Sequence, residues 1–301
     1  MFDILVAVKD ACENDDVSNL LADLGVATST NPQQTQKVLY ACVRYSAKKN
    51  CPEILRYLIE QGADITKLQG QSIVDTVNET LPSGEVLEVL VEHGWNVNNR
   101  GPRTSGHPLL WFVARDTGLV RWCLDHGADV DPPDDTPPNA VKSRKPILQC
   151  AALSDNIEAF ELLRARGAPL TYTLLPSTVM LPTLRVPKRG EEPSADFRTS
   201  LNMIRHLVDN VGCDVNADSY GANYGSRSVC STPLCWVACH AVRNADPTQL
   251  IWLLLERGGD PYLAGPTVEG LRIPSAFEAA VKGNNALFIR VVEAWQMQNK
   301  G

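Results

Sequence analysis

One phrase recurs along this chain and limits what it can fold into. An apolar helical stripe ends in a polar or acidic residue and is followed by Gly-x-Asp and an extended pair, as in residues 58–65 (LIEQGADI). The glycines of its copies are Gly62, Gly94, Gly127, Gly167, Gly212 and Gly258. The first two steps between them are 32 and 33 residues, and the later steps are 40, 45 and 46. A period near 33 predicts a stack of repeated units, and the longer steps predict insertions.

Each copy predicts two helices and a turn. In residues 54–59 the apolar side chains fall at i, i+3 and i+4 spacing, so this helix must bury one face. The following glycine can take the left-handed conformation that ends a helix. A shorter helix precedes each stripe, and its clearest start has Thr232 as N-cap, Pro233 at the first helical position and Leu234 pointing into the core.

These features resemble ankyrin repeats. The consensus Thr-Pro-Leu-His-x-Ala-Ala is matched at residues 232–234, with Cys235 where His is usual, and Ala151-Ala152 and Ala279-Ala280 match its alanine pair. The loose, insertion-rich spacing resembles the ankyrin proteins of filamentous fungi. The resemblance covers nearly the whole chain and implies an all-α ankyrin-repeat solenoid of about eight helix-turn-helix units, with finger loops and irregular insertions.

We predict a single ankyrin-repeat domain over residues 1–301. Its parts are an N-terminal cap unit (1–34), regular repeats (35–171), an irregular repeat with long insertions (172–230), and C-terminal repeats with a cap (231–301). The units after the cap are predicted at about 35–66, 70–99, 105–131, 144–171, 175–217, 230–263 and 272–297. In the cap, Val6 is expected to face the next unit. Because the sequence begins at Met1 and ends in a terminal-looking helix, we expect a complete small protein.

Three insertions break the period, at about residues 131–138, 173–200 and 218–227. The second contains several prolines, so we expect it to replace much of the first helix of a repeat, which is the shorter helix before the stripe. The third holds Tyr220, Tyr224 and Arg227 among small residues, a composition favoured at contact surfaces. Long ordered loops are often functional, so at least one insertion is expected to bind a partner.

Composition excludes several classes of protein. A net charge of -7 argues against a nucleic-acid partner, which would need clustered positive charge. There is no run of about 18 apolar residues to span a membrane, and Asp3 precedes an apolar stretch too short for a secretory signal. Nine cysteines, an odd number lying mostly in amphipathic stretches, fit reduced thiols in the cytoplasm or nucleus.

The tryptophans are predicted to be packing residues. Trp111 and Trp236 follow helix starts and are expected to pack between units, whereas Trp122 and Trp252 lie on helical stripes and are expected in the core. Trp95 replaces the usual Ala after the glycine and is expected to be partly exposed.

No catalytic residue, cofactor or metal site is predicted. The sequence nearest to a metal cluster is Cys230-x4-Cys235-x3-Cys239-His240, but zinc sites usually bring two close pairs and no second pair is evident. His93 and His126 precede helix-ending glycines, where an imidazole suits the negative end of the helix. The acids that recur two residues after the glycines are interpreted as folding residues.

The leading hypothesis is a protein–protein interaction module or adaptor that binds its partner on a concave and finger surface. By analogy with the family, the expected contact residues are Arg103, Arg115, Asp116, Tyr220, Tyr224, Arg227, Arg243 and Lys282. The alternative is a small-molecule-binding protein or an enzyme, with a pocket roofed by the insertions over 173–231 and lined by Trp236, Tyr224 and His206. A closed cavity of several hundred Å3 would favour the alternative, whereas a flat concave face would favour the module.

Overall fold

The computed structural model describes residues 2–14, 32–100, 107–131, 146–218, 232–240, 245–265, 267–268 and 271–299. In these ranges the protein is helical, apart from short turns and one antiparallel pair of two-residue strands, β1 (Thr267–Val268) and β2 (Leu271–Arg272). The chain forms two compact units, residues 1–140 and 141–301. The single-domain organisation stays a prediction.

The first unit contains helix pairs that pack in chain order. Its elements are α1 (Phe2–Asn14), α2 (Pro32–Lys48), α3 (Pro52–Glu60), a 3-10 turn (Gly70–Ile73), α4 (Gly84–Glu92), α5 (Leu109–Val113) and α6 (Thr117–Asp125). Helix α1 packs on α2, and the 3-10 turn lies between α2 and α5. The second helices α3 and α4 also pack on each other, so the unit has two helical layers.

The second unit repeats this arrangement. Its helices are α7 (Ile147–Leu153), α8 (Ile157–Ala165), α9 (Leu174–Leu184), α10 (Ala195–Arg205) continued by a π turn (His206–Asn210), α11 (Pro233–His240), α12 (Thr248–Glu256), α13 (Ala276–Lys282) and α14 (Ala286–Asn299). The first helices stack in the order α7, α9, α11 and α13, and the second helices α12 and α14 pack beside them.

The helix ends confirm the repeat predicted from sequence. Each of the seven repeats predicted after the cap contains a helix pair in the described residues. In the repeat over 70–99, however, the first helix is only the 3-10 turn. All six glycines of the phrase are left-handed, with φ between +79° and +90°. Thr232 caps α11 by accepting the backbone N–H of Cys235 at 3.3 Å, and Leu234 is buried, as predicted.

The recurring acid shapes the turn after each glycine. Asp64 Oδ1 accepts the backbone N–H of Thr66 at 2.9 Å, which closes a local turn. The same bond to the residue two positions on occurs at Asp129, Asp214 and Asp260, at 2.9, 2.8 and 2.8 Å. The prediction that these acids serve folding is confirmed.

Asparagine side chains join successive turns, which we call fingers. The Asn98 amide donates to Gly127 O at 2.9 Å and accepts the backbone N–H of Asp129 at 2.9 Å. Asn216 makes the same two bonds to the finger that begins at Gly258, at 3.0 and 2.8 Å. Each asparagine stands four residues after the glycine of its own finger. We call this pair of bonds the finger tie.

The prediction that the second insertion replaces a first helix is wrong, because residues 174–184 form α9. Pro176 lies in the first turn of the helix, where a backbone N–H has no partner within the helix. Pro182 lies inside the helix, but α9 is held between α7 and α11, and Leu174, Leu175 and Val179 are almost fully buried. Burial of this apolar helix outweighs the lost backbone bond.

Two other expectations about packing need correction. Val6 is 48 % exposed, whereas Val8 and Ala11 form the buried face of α1, so the helix is rotated relative to the prediction. Trp95 is buried rather than partly exposed, because its indole Nε1 donates at 2.7 Å to the carbonyl oxygen of Leu68, 27 residues earlier in the chain.

The helical tryptophans divide into two groups. Trp111 and Trp236 are buried, as predicted. Trp122 and Trp252 are only half-buried, so their assignment to the core is wrong. Trp122 stacks on His126 with 3.9 Å between ring centroids and donates to Glu88 Oε1 at 2.5 Å, so its amphipathic ring covers the outer side of the second helices.

Candidate interaction surface

Three of the eight predicted contact residues lie within the described residues. Asp116 caps α6 by accepting the backbone N–H of Leu119 at 2.9 Å. Arg115 donates to the carbonyl of Glu79 and lies 3.6 Å from its carboxylate. Lys282 is exposed in the last turn of α13. The remaining five, which fall outside the described residues, are Arg103, Tyr220, Tyr224, Arg227 and Arg243.

The predicted pocket residues are engaged in separate contacts. His206 Nε2 lies 2.7 Å from Glu161 Oε1, and its ring meets Phe160 edge-on. Trp236 stacks on His240 with 4.7 Å between ring centroids. Tyr224 falls outside the described residues. The missing first helix that motivated this pocket is present as α9.

The helix-end histidines and the cysteines have structural contacts. His93 Nδ1 lies 2.7 Å from Val89 O, and His126 Nδ1 lies 2.8 Å from Trp122 O, so both rings meet the carboxyl end of their own helix. Cys235 is buried and its Sγ lies 3.8 Å from Pro274 O, whereas Cys230 falls outside the described residues. Across the described ranges, no group of three His, Cys, Asp or Glu side chains is placed to hold a metal ion.

The second unit contains a groove between two neighbouring fingers. It overlaps the range 173–231, where the alternative hypothesis placed a pocket, but its lining does not include the predicted residues Trp236, Tyr224 and His206. It lies between the finger that begins at Gly167 and the one that begins at Gly212, and its volume is about 580 Å3. Its lining is largely apolar, with acidic groups at the second finger. The principal lining residues are Leu170, Tyr172, Leu175, Val211, Cys213 and Asp214. We call this the finger groove.

At this step of the stack a threonine takes the position of the tying asparagine, as Thr66 does in the Gly62 finger. Thr171 stands four residues after Gly167, where Asn98 and Asn216 stand in their own fingers. Its shorter side chain bonds within its own finger, to the hydroxyl of Thr173 at 3.3 Å. Pro169 stands where an Asp or Asn side chain closes the other turns. The Gly167 and Gly212 fingers are therefore joined by no asparagine amide.

A one-residue insertion also displaces the second finger. In most copies four positions separate the last stripe leucine from the glycine, but Leu207 and Gly212 are five apart. The extra residue forms the π turn, and the backbone N–H of Cys213 bonds to the carbonyl six residues back, at 2.9 Å, rather than five. Arg257 holds this turn through Asp209 at 2.7 and 2.6 Å. These hydrogen bonds, more than the Arg257 charge, hold the pKa of Asp209 below its ordinary value.

Comparison with solved structures identifies the fold. The crystal structure of the human ASB11 ankyrin repeat domain matches with a TM-score of 0.52 and 16% sequence identity, over 84% of this chain and 96% of that chain. The protein has the ankyrin-repeat fold. The predicted all-α ankyrin-repeat fold class is confirmed, while its fungal style stays a prediction. No protein-family model and no curated protein matches the sequence.

In this ankyrin fold the finger groove combines exposed apolar side chains with negative charge. Leu170 is 49 % exposed and Tyr172 is 66 % exposed, whereas Leu175 is buried at the base. Burial raises the pKa of the Cys213 thiol, partly offset by Arg164, so the thiol is neutral at pH 7. Within the described ranges, no helix is both long and apolar enough to cross a membrane.

Proposed function

We propose that this ankyrin-repeat protein is an interaction module or adaptor that holds a protein partner on its fingers and on the concave side lined by its first helices. The ankyrin-repeat fold is generally a protein–protein interaction module. The observation that carries the proposal is a set of apolar side chains exposed on fingers of fixed backbone. These are Leu170, Tyr172, Tyr262 and Leu263, which are 40 to 66 % exposed.

A prearranged surface favours binding because little conformational entropy is lost on association. Each finger is closed by its glycine and, in most copies, by its acid, and Asn98 and Asn216 fix the next finger. Tyrosine and leucine side chains on such a frame bury large areas at low entropic cost. We also include the predicted contacts Arg115 and Lys282 in this proposal, because each lies at the end of a first helix.

The proposal includes a cytoplasmic or nuclear location and no cofactor. Support comes from the cysteines, because none of the eight within the described residues forms a disulfide bond. The net charge of -7 supports a protein partner over a polyanion.

Affinity purification of the full chain from native cells, followed by mass spectrometry, tests this function. One variant replaces Tyr172 and Tyr262 with Ser, and a second replaces Tyr220, Tyr224 and Arg227 with Ala. We expect at least one of them to lose the copurifying partner. Met297→Ser is the matched control, because Met297 is 76 % exposed but lies on the second helix α14.

The outcomes separate the surfaces. A partner that both finger variants retain and the control loses would place binding on the second helices and refute the proposal. If only the Tyr220, Tyr224 and Arg227 variant loses the partner, the contact lies at the third insertion.

A further inference from the structure

We propose that the finger groove is a binding site for a short segment of a protein partner that presents one bulky apolar side chain beside a lysine or arginine. This rests on the proposed function and adds the location and the chemistry of recognition. The groove lies wholly within the second unit, between the Gly167 and Gly212 fingers.

The apolar part of the groove predicts the first feature of the segment. Leu170 and Tyr172 stand on one wall with large exposed fractions, Val211 stands on the other, and Leu175 closes the base. Its volume of about 580 Å3 falls within the range of pockets that take small ligands. It therefore suits one large side chain and its neighbouring backbone rather than a whole helix.

The charge of the groove predicts the second feature. Asp214 and Asp218 belong to its lining, and the described lining residues include no Lys, Arg or His. Arg164 acts on the Cys213 thiol from nearby, but it is paired with Glu161 at 3.3 Å. A cation beside the apolar anchor would be attracted to the Asp214 carboxylate, which is held in place by the backbone N–H of Asn216 at 2.8 Å.

Two separate departures from the repeat meet at this groove. They are Pro169, which stands where Asp or Asn closes the other fingers, and the extra residue before Gly212. The first removes a local hydrogen bond, and the second moves the hydrogen bond of the Cys213 backbone N–H from the carbonyl five residues back to the one six residues back. Each of the two fingers that line the groove carries one of these changes.

The test selects peptides from a displayed library of random 12-residue sequences on the full chain. We expect the enriched peptides to place an aromatic or large aliphatic residue within three positions of Lys or Arg. Their affinity is then measured by fluorescence anisotropy on the wild type and on variants. Tyr172→Ser should weaken binding about tenfold, as loss of an aromatic anchor does.

Charge removal can be tested with the turn preserved. The double variant Asp214→Asn, Asp218→Asn should weaken binding about fivefold at low salt and less at high salt. Asparagine can close the same turn, since Asn96 Oδ1 accepts the backbone N–H of Asn98 at 2.8 Å at the equivalent position. Asp129→Asn, the same exchange on another finger, is the matched control and should leave affinity unchanged.

Several results would overturn the groove site. These are a library that yields no binder, enriched peptides without the apolar and basic pair, and wild-type affinity in both groove variants. Self-association of the wild type that Tyr172→Ser abolishes, seen by sedimentation, would make a second copy of this chain the occupant instead. A copurified partner that is lost only with the Tyr220, Tyr224 and Arg227 variant would refute the groove while the interaction function stands.

Discussion

Replacing Gly70 with alanine tests the close packing of successive first helices in the first unit. Gly70 begins the 3-10 turn and is buried against the start of α5. A Cβ atom built there would meet the backbone N of Leu109 most closely, and would lie 2.6 Å from Leu109 Cα and 2.9 Å from the carbonyl carbon of Pro108. Ordinary contact begins near 3.4 Å, so the two backbones would have to separate by about 1 Å.

The magnitude follows from two opposing terms. Overpacking usually costs about 1–3 kcal/mol, and the upper end applies because the obstructing atoms are backbone and cannot change rotamer. Losing glycine restricts the unfolded chain, which returns about 0.5–1 kcal/mol. Gly70→Ala should therefore lower the free energy of unfolding by about 2 kcal/mol.

Urea unfolding followed by circular dichroism at 222 nm measures the effect. With an m value of about 2 kcal/mol/M, the midpoint should fall by about 1 M. The matched control is Gly84→Ala, because Gly84 is exposed at the start of α4 and a Cβ there meets no atom within 4 Å. The control should stabilise the protein by about 0.5 kcal/mol. If both variants shift the midpoint in the same direction, the close approach of Gly70 to Leu109 does not limit this packing.

Three further substitutions or reactions probe the other contacts. Asn216→Ala removes both bonds of its finger tie and should cost about 1–2 kcal/mol, with faster hydrogen exchange in the Gly258 finger. Arg257 lowers the pKa of Asp209, so this stabilisation is present above about pH 4 and is lost as pH falls through the folded-state pKa. Asp209→Asn should consequently lose less stability than the wild type between about pH 5 and pH 3 in urea titrations. Burial raises the pKa of the Cys42 thiol to about 11 and that of the Cys123 thiol to about 12. Iodoacetamide should therefore modify Cys42 and Cys123 more slowly than the half-buried Cys150 and Cys239, as measured by mass spectrometry.

The repeat could be predicted from the sequence because the residues that specify each turn act locally. A left-handed glycine such as Gly62 and a turn-closing acid such as Asp64 act within a few residues, so each copy specifies its own turn. The cap at Thr232 is predictable for the same reason. Six copies of the phrase, 32 to 46 residues apart, determine the order of the helices.

The errors occurred where tertiary packing outweighs local preference. Pro176 and Pro182 signal a broken helix, yet α9 is helical because both neighbouring first helices bury it. Trp95 looks exposed by its place in the turn, but its indole donates to the carbonyl of Leu68, 27 residues earlier, and the side chain is buried. Leu68 is distant in sequence from Trp95, and α7 and α11 are distant in sequence from the prolines of α9.

The finger groove was readable in part. The five-residue step from Leu207 to Gly212 and the threonine at position 171 are visible in the sequence once the finger tie is known. The tie itself is not visible, because it joins Asn216 to a backbone 42 residues away. Its meaning emerges only when the Asn98 and Asn216 copies, which make the bond, are compared with the copies that have Thr66 or Thr171 at the same position.

The π turn has a consequence for how such a surface arises. Its additional residue is taken up at the end of a helix, and the apolar stripe before it, Phe197, Leu201 and Ile204, stays buried. A single inserted codon can thus reshape the outer edge of one module without a compensating mutation elsewhere. Deletion of one residue from 208–211 is therefore expected to restore the ordinary bond to the carbonyl five residues back.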